Sequence, residues 1–340
     1  MVERELLGVA ELLVDLDGIR QNTAAVVTLL RERGLRLVAV TKGCLGDARV
    51  AQAMLDGGAA ALADTRDANL RRLRTAHPDV ELHRIYLPPL SAGFESGDVA
   101  YVSSVDGARA VAARVAVGER RRVLLMLETG DYREGVTEEG LESLARAVAG
   151  DPSLDLAGVA TNYACFQGGP DGLRGSVEAV AAAARRLRAH GWETPVVSAG
   201  NSSVLAFVRA GERLPPEVTE LRCGEALLLG QDALLYQPLP GCRQDACRLR
   251  VEVLEGYTKR ARGRAARRLV LGIGRQDVGS GAVRFVDPGL SDLGRSSDYL
   301  VAGVDIGSSD VGPGDHVEMV PSYAALVAAW TSPFVEVRLV

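Results

Sequence analysis

The sequence predicts an α/β fold, a (β/α)8 TIM-type barrel followed by a C-terminal all-β domain, on three observations. Strand and helix signals alternate through the first two thirds. About eight such units precede residue 230. Beyond Gly230 the helical pattern gives way to short strands punctuated by glycine and proline. Strand-helix units of this length imply parallel strands joined by right-handed crossovers, and this number of them implies closure rather than an open sheet. Pro238, Pro240 and Gly241 break the chain, so residues 1–235 are read as the barrel and 236–340 as the β domain, with strand 8–16 a candidate to pack on the latter.

Taken in order, Leu12 to Leu16 reads as a strand and Asp17 to Arg31 as a helix capped by Asp17. The run Leu35 to Val40 is apolar on both faces, as a buried parallel strand must be, and it leads into Thr41-Lys42-Gly43. Asp47 opens a helix to about Leu55. Ala59 to Ala63 is a strand ending in Asp64-Thr65-Arg66-Asp67, and Ala68 to Arg74 is a helix. Further strands are expected at Leu82 to Leu87, Val99 to Val102, Val123 to Leu127, Leu156 to Thr161, Pro195 to Ser198 and Glu220 to Cys223, with the clearest helix at Val177 to Ala189. In the β domain the expected strands are Cys247 to Leu254, Arg268 to Gly272, Tyr299 to Val304, His316 to Met319 and Phe334 to Leu339, without intervening helices.

Composition narrows the function classes. Aromatics are only 4% of the 340 residues, so alanine and valine must fill most of the core. A net charge of −5 with no basic block gives nucleic-acid binding no electrostatic support; the exception, Lys259 to Arg268, reads as a solvated surface. No stretch approaches a membrane span or secretion signal, and the five cysteines (Cys44, Cys165, Cys223, Cys242, Cys247) fit reduced thiols in a cytoplasmic protein. His77, His83, His190 and His316 sit in polar or loop-like surroundings without a partner cysteine, and no metal site is expected.

Lys42 stands out by rarity: it and Lys259 are the only lysines in the chain. Arginine cannot replace a lysine that must lose a proton and attack a carbonyl, so a lysine kept at a strand end suggests a Schiff-base nucleophile. A strand-end lysine pointing into water is the plain alternative. Other polar clusters fall at predicted strand ends, which converge on one mouth of a parallel barrel. They are Glu128 to Gly135 with Arg133, Thr161-Asn162-Tyr163, Ser198 to Ser203 with a glycine turn into a helix, and Leu221-Arg222-Cys223-Gly224-Glu225. Alone, each is as well explained by a surface ion pair or a helix cap. Together they specify a nucleophilic lysine, an anion cradle and two arginines, which suits an aldehyde cofactor bearing a phosphate, with pyridoxal 5'-phosphate the obvious candidate.

These motifs give the chain a family resemblance. Val40-Thr41-Lys42 with Gly46-Asp47, Ala63-Asp64-Thr65-Arg66 with Asn69-Leu70, Gly130 to Gly135, Gly200-Asn201-Ser202-Ser203, Leu221 to Ala226, Gly272 to Val278, Ser296-Ser297-Asp298 and Thr331-Ser332-Pro333 together resemble the fold-type III pyridoxal-phosphate enzymes. Within that alanine racemase family they are most similar to the alanine/ornithine racemase branch. The resemblance implies that Lys42 holds the cofactor, that Arg133 lies near its phenolic oxygen or the substrate carboxylate, and that Ser202, Ser203 and the backbone at Gly224 and Glu225 bind its phosphate. Asn162 and Asn201 lie in the same motifs as cofactor-binding candidates. Arg222 would face the pyridine nitrogen and, with a pKa above about 12, keep it unprotonated, which suits simple proton removal and return at Cα.

Racemisation needs a second acid/base on the opposite face, a tyrosine from the partner subunit in alanine racemases. Here the pattern departs: Tyr257 is the first candidate, with Tyr299, Cys44 and Tyr323 as the others. Asp298 matches an acidic position that the partner contributes, and the family's carboxyl-terminal phosphate-binding tyrosine is replaced around Ser332-Pro333-Phe334. The expectation is a homodimeric amino-acid racemase or epimerase with shared active sites, acting on a small-molecule amino acid of alanine, ornithine or a related basic or modified type. The rivals are a decarboxylase or specialised-pathway epimerase on the same scaffold, a non-catalytic pyridoxal-phosphate-binding protein, and a cofactor-free barrel enzyme using Glu128 or Asp131 as base.

Overall fold

The computed structural model describes residues 9–91, 97–164, 168–261, 264–305 and 310–340; Cys165 and the side chains of 259–266, which include most of the basic cluster, lie outside the described residues. The chain divides into two compact units, Ile19–Lys42 with Gly46–Cys242, and the N-terminal stretch to Gly18 with Gly43–Leu45 and Arg243–Val340.

The N-terminal strand is β1 (Ala10–Val14), and α1 (Leu16–Arg31) leads into the barrel unit, a closed ring of eight parallel strands. These are β2 (Arg36–Val40), β3 (Ala61–Asp64), β4 (Leu82–Arg84), β5 (Val99–Val102), β6 (Arg121–Leu127), β7 (Leu154–Thr161), β8 (Val196–Ser198) and β9 (Glu220–Cys223), with β9 returning to pair with β2. The intervening helices are α2 (Ala48–Asp56), α3 (Asp67–Ala76), α4 (Val105–Ala112), α5 (Glu138–Ala149), α6 (Pro170–Ala189) and α7 (Leu205–Arg209), and α8 (Glu225–Leu229) follows β9. Local chemistry sets their starts: Asp47 Oδ1 accepts the Arg49 and Val50 amides ahead of α2, and Ser104 Oγ accepts the Gly107 amide ahead of α4. Gly230 ends α8 in the left-handed region at φ +66°. The helices press leucine, valine and alanine onto the outside of the ring, with Leu62, Leu70, Leu73, Leu124 and Leu141 at or near zero exposure.

The second unit is built on β10 (Cys247–Ala261) and β11 (Arg264–Leu271), then α9 (Arg275–Val278), β12 (Val283–Phe285), β13 (Leu290–Arg295), β14 (Leu300–Val304), β15 (His316–Pro321), α10 (Tyr323–Thr331) and β16 (Glu336–Leu339). The sheet order is β12-β15-β10-β11-β14-β13, and β1 pairs antiparallel with β10 and parallel with β16. Along β10, Cys247, Leu249, Val251 and Val253 are buried while Arg248, Arg250 and Glu252 are partly exposed, the alternation of a half-covered antiparallel strand. A register shift between Val253 and Glu255 lets β10 continue to Ala261 instead of stopping at Leu254.

The strand near Leu12 pairs through its backbone with β10 and β16 of the β domain. One expectation is corrected. The β domain contains helices after all: α10 is capped by Ser322, but its residues are apolar nearly all round and so give no 3.6-residue periodicity. His83 lies within the expected strand beginning at Leu82, as part of β4, with no exposure and with Tyr101 and Glu81 as polar partners. Among the described residues no helix is long and apolar enough to cross a membrane, and no group of three or more His, Cys, Asp and Glu is placed to hold a metal.

Candidate active site

Every barrel residue singled out from the sequence falls at or just beyond the carboxyl end of a barrel strand. Lys42 follows β2 and is exposed, while Thr41 before it is buried and donates from Oγ1 to Asp64 Oδ2 at 2.6 Å. Asp64 at the end of β3 also accepts from the Thr65 and Arg66 amides and from Asn69 Nδ2, so its carboxylate is spent on pinning the turn beside the lysine.

Arg133 sits in the loop between β6 and α5. Gly135 closes that loop at φ +130°, where a Cβ would lie 2.3 Å from the Glu128 amide, and Tyr132 is held at φ +50° and is exposed. Arg133 pairs with Glu134, and its Nε is 3.9 Å from Asp131 Oδ2. Asp131 is buried and is the hub that links the predicted residues: Asn162 Nδ2 donates to it at 3.1 Å, Asn201 Nδ2 donates to Asn162 Oδ1 at 3.1 Å, and Asn201 Oδ1 accepts the Ser203 amide at 2.8 Å. The sequence reading named Asp131 only as a possible base in a cofactor-free enzyme. Its signal was its place between a glycine and Tyr-Arg in one short turn.

Ser202 and Ser203 are both buried after β8, and Ser202 Oγ accepts from the Gly224 and Ala226 amides at 3.3 and 3.2 Å. Those amides and hydroxyls form one cluster of hydrogen-bond donors at the end of β8 and β9, the Gly224 and Ala226 amides now spent on Ser202 Oγ. Gly224 is required there because a Cβ would lie 2.7 Å from the Val40 carbonyl oxygen. Glu225 is the one acid of this cluster. Burial, the nearby Asp232 and, in opposition, Lys42 leave its carboxyl pushed up to about 7, so it can go neutral beside a phosphate. Its Oε1 is buried with no hydrogen-bond partner.

Arg222 points into the barrel lumen. Its Nη1 donates to Ser198 Oγ and its Nη2 to the Thr161 carbonyl, each at 2.5 Å, and the guanidinium lies 5.3 Å from the centre of the Tyr101 ring. A fixed cation under the mouth, an amine at its rim, a second arginine and a serine-amide cluster form a donor set that fits a phosphorylated aldehyde with a ring acceptor.

In the second unit, Tyr257 on β10 and Tyr299 before β14 line one shallow cleft with Arg268, Arg295 and Ser296. Asp298 is in an exposed turn, accepting from Gln276 Nε2 at 2.9 Å and Ser297 Oγ at 2.8 Å. Tyr323 starts α10 and does not line that cleft; Cys44 is fully buried.

The family model for the N-terminal domain of alanine racemase matches residues 14–232. Over 96% of its length the chain is 31% identical to the lysine racemase of Thermotoga maritima, covering 97% of that protein, and 26% identical to the ornithine racemase of Acetoanaerobium sticklandii, covering 98% of it. Among solved structures, the alanine racemase of Corynebacterium glutamicum superimposes with a TM-score of 0.74 at 20% identity, covering 98% of this chain and 99% of that one. The alanine racemase of Bartonella henselae with covalently bound pyridoxal phosphate gives 0.71 at 16% over the same shares. The two structural likenesses speak to fold; the family model and the sequence relatives go further, and on them the chain belongs to the alanine racemase family.

Proposed function

We propose that this amino-acid racemase uses pyridoxal 5'-phosphate to invert Cα of a basic amino acid of the lysine or ornithine type. The observation that carries the cofactor reading is the lone described amine, at the end of β2, on the strand that pairs with β9 and its buried, fully oriented Arg222. When bound, the cofactor ring draws electrons from Cα of an attached amino acid and so acidifies its proton. Lys42 would hold the cofactor and serve as the base that removes or returns the Cα proton on its own face. Ser202, Ser203 and the amides of Gly224 and Glu225 would hold the phosphate. Arg222 would donate to the ring nitrogen and keep a proton off it. Asn162 and Asn201 brace the mouth, and Arg133 takes the phenolic oxygen or the substrate carboxylate, a role for a planar fork of donors.

The opposite face needs a second proton carrier, and Tyr257 of a partner subunit, near Asp298 of that subunit, fills it in a homodimer. The exposed Leu254, Leu293 and Tyr299 around the Tyr257 cleft support a surface that is covered in use. The basic-substrate reading rests on the activities named for the two sequence relatives.

The test is incubation of cofactor-loaded protein with L-lysine, L-ornithine and L-alanine in deuterium oxide, followed by chiral separation. Basic amino acids should gain deuterium at Cα and approach equal amounts of both enantiomers, faster than alanine. Carbon dioxide release, or no exchange with any of the three, would reject the reaction. Mixing Lys42→Ala with Tyr257→Phe protein tests the shared site, since mixed dimers should regain activity that neither variant has alone.

A further inference from the structure

The polar lining of the barrel does not end at Arg222. Below it lie Ser198 at the end of β8, next to the strand of Arg222, and Tyr101 and His83 on the adjacent strands β5 and β4 on the other side of the ring, all of them buried. Arg222 Nη1 donates to Ser198 Oγ at 2.5 Å, and the guanidinium lies 5.3 Å from the centre of the Tyr101 ring. Tyr101 Oη is 3.0 Å from His83 Nδ1, and His83 Nε2 is 2.6 Å from Glu81 Oε1. At the amino end of the barrel Glu81 also accepts from Arg36 Nη2 at 2.9 Å and Arg122 Nη2 at 2.7 Å, while Arg36 Nε donates to the buried Glu220 at 2.7 Å.

We infer that Tyr101 and His83 are positioning residues for Arg222: the Tyr101 ring supports the guanidinium, and the Tyr101 hydroxyl is tied through His83 to Glu81 at the amino end of the barrel. The inference rests on the reading that Arg222 faces the ring nitrogen of pyridoxal phosphate.

Guanidinium can only donate, so Ser198 accepts from Arg222; a carboxylate with arginines on both oxygens can only accept, so His83 donates from Nε2 to Glu81. The hydrogen bonds from His83 and the two arginines hold Glu81 well below the usual carboxylate range despite its burial, which keeps the accepting end charged. Burial pushes the Tyr101 phenol upward, which keeps its hydrogen in place. The other charged groups facing these residues are Arg36, Arg122 and Glu220, which are paired among themselves and with Glu81. With Nη1 and Nη2 both committed and the ring of Tyr101 beneath its plane, the guanidinium cannot swing, so the donor it offers the mouth stays on one line.

Tyr101→Phe keeps the ring but removes its tie to His83, and His83→Leu removes the next link to Glu81. After a melting curve establishes folding, each is titrated with pyridoxal phosphate. Cofactor should bind about five- to tenfold more weakly, and the pH midpoint of its visible absorption band should move by about one pH unit. A purely packing role would lower the melting temperature and leave the band's titration unchanged, which also overturns the inference. Wild-type protein that takes up no cofactor refutes the reading beneath it as well, whereas normal uptake with indifferent variants refutes only the positioning role.

Discussion

Glu225→Gln is the substitution whose effect the structure sizes most directly. The carboxyl is buried beside the fully buried Asp232, and its titration is raised from an ordinary 4.5 to about 7, with Lys42 offsetting part of the rise. A group that binds its proton more tightly in the folded than in the unfolded chain lends stability that is complete below about 4.5 and is lost as pH rises through about 7. At about 1.4 kcal/mol per pH unit, the loss totals about 3 kcal/mol. Glutamine keeps the shape and carries no titration. Urea unfolding of cofactor-free protein should therefore give wild type and Glu225→Gln similar stabilities near pH 4.5, with the variant ahead by about 3 kcal/mol above pH 8 and most of the gap opening between. A difference that is constant with pH, or one that favours wild type more as pH rises, would refute the burial argument and with it the neutral acid beside the serine cluster.

Other substitutions probe the remaining parts of the site. Lys42→Ala should abolish borohydride-fixed pyridoxyl adduct at residue 42 by mass spectrometry and lower racemisation by at least about a thousandfold, and Lys42→Arg should do the same because guanidinium stays protonated. Asp131→Ala removes the acceptor of Asn162 Nδ2 and a neighbour of Arg133; cofactor affinity measured by fluorescence should fall about tenfold, and an unchanged affinity would take Asp131 out of the site. Gly224→Ala places a Cβ 2.7 Å from the Val40 carbonyl, costing about 1–3 kcal/mol of stability, read as a lower urea midpoint; a variant as stable as wild type would mean that the turn relaxes freely.

The barrel was legible because parallel strands covered on both faces must be apolar throughout, and Leu35 to Val40 and Val123 to Leu127 are. The mouth was legible because strand ends converge, so Lys42, Arg133, Asn162, Ser202 and Arg222 could be grouped without coordinates. What hid was whatever lacked a period. α10 is too uniformly apolar to show a face, and β13 is short, exposed and rich in Ser, Asp and Gly. His83 fell inside the expected strand Leu82 to Leu87, but Leu-His-Arg is only three residues of strand, too few for alternation to declare which side faces inward.

Sequence alone determined the number and order of the barrel strands, the place of Lys42 at a strand end and the family, because these depend on residue types and their spacing along the chain. Only the tertiary structure decided which buried polar groups meet. Asp131 joins Arg133 to Asn162, and Tyr101 reaches Arg222 across the lumen, because ring closure brings together strands whose separation along the chain carries no trace of the contact.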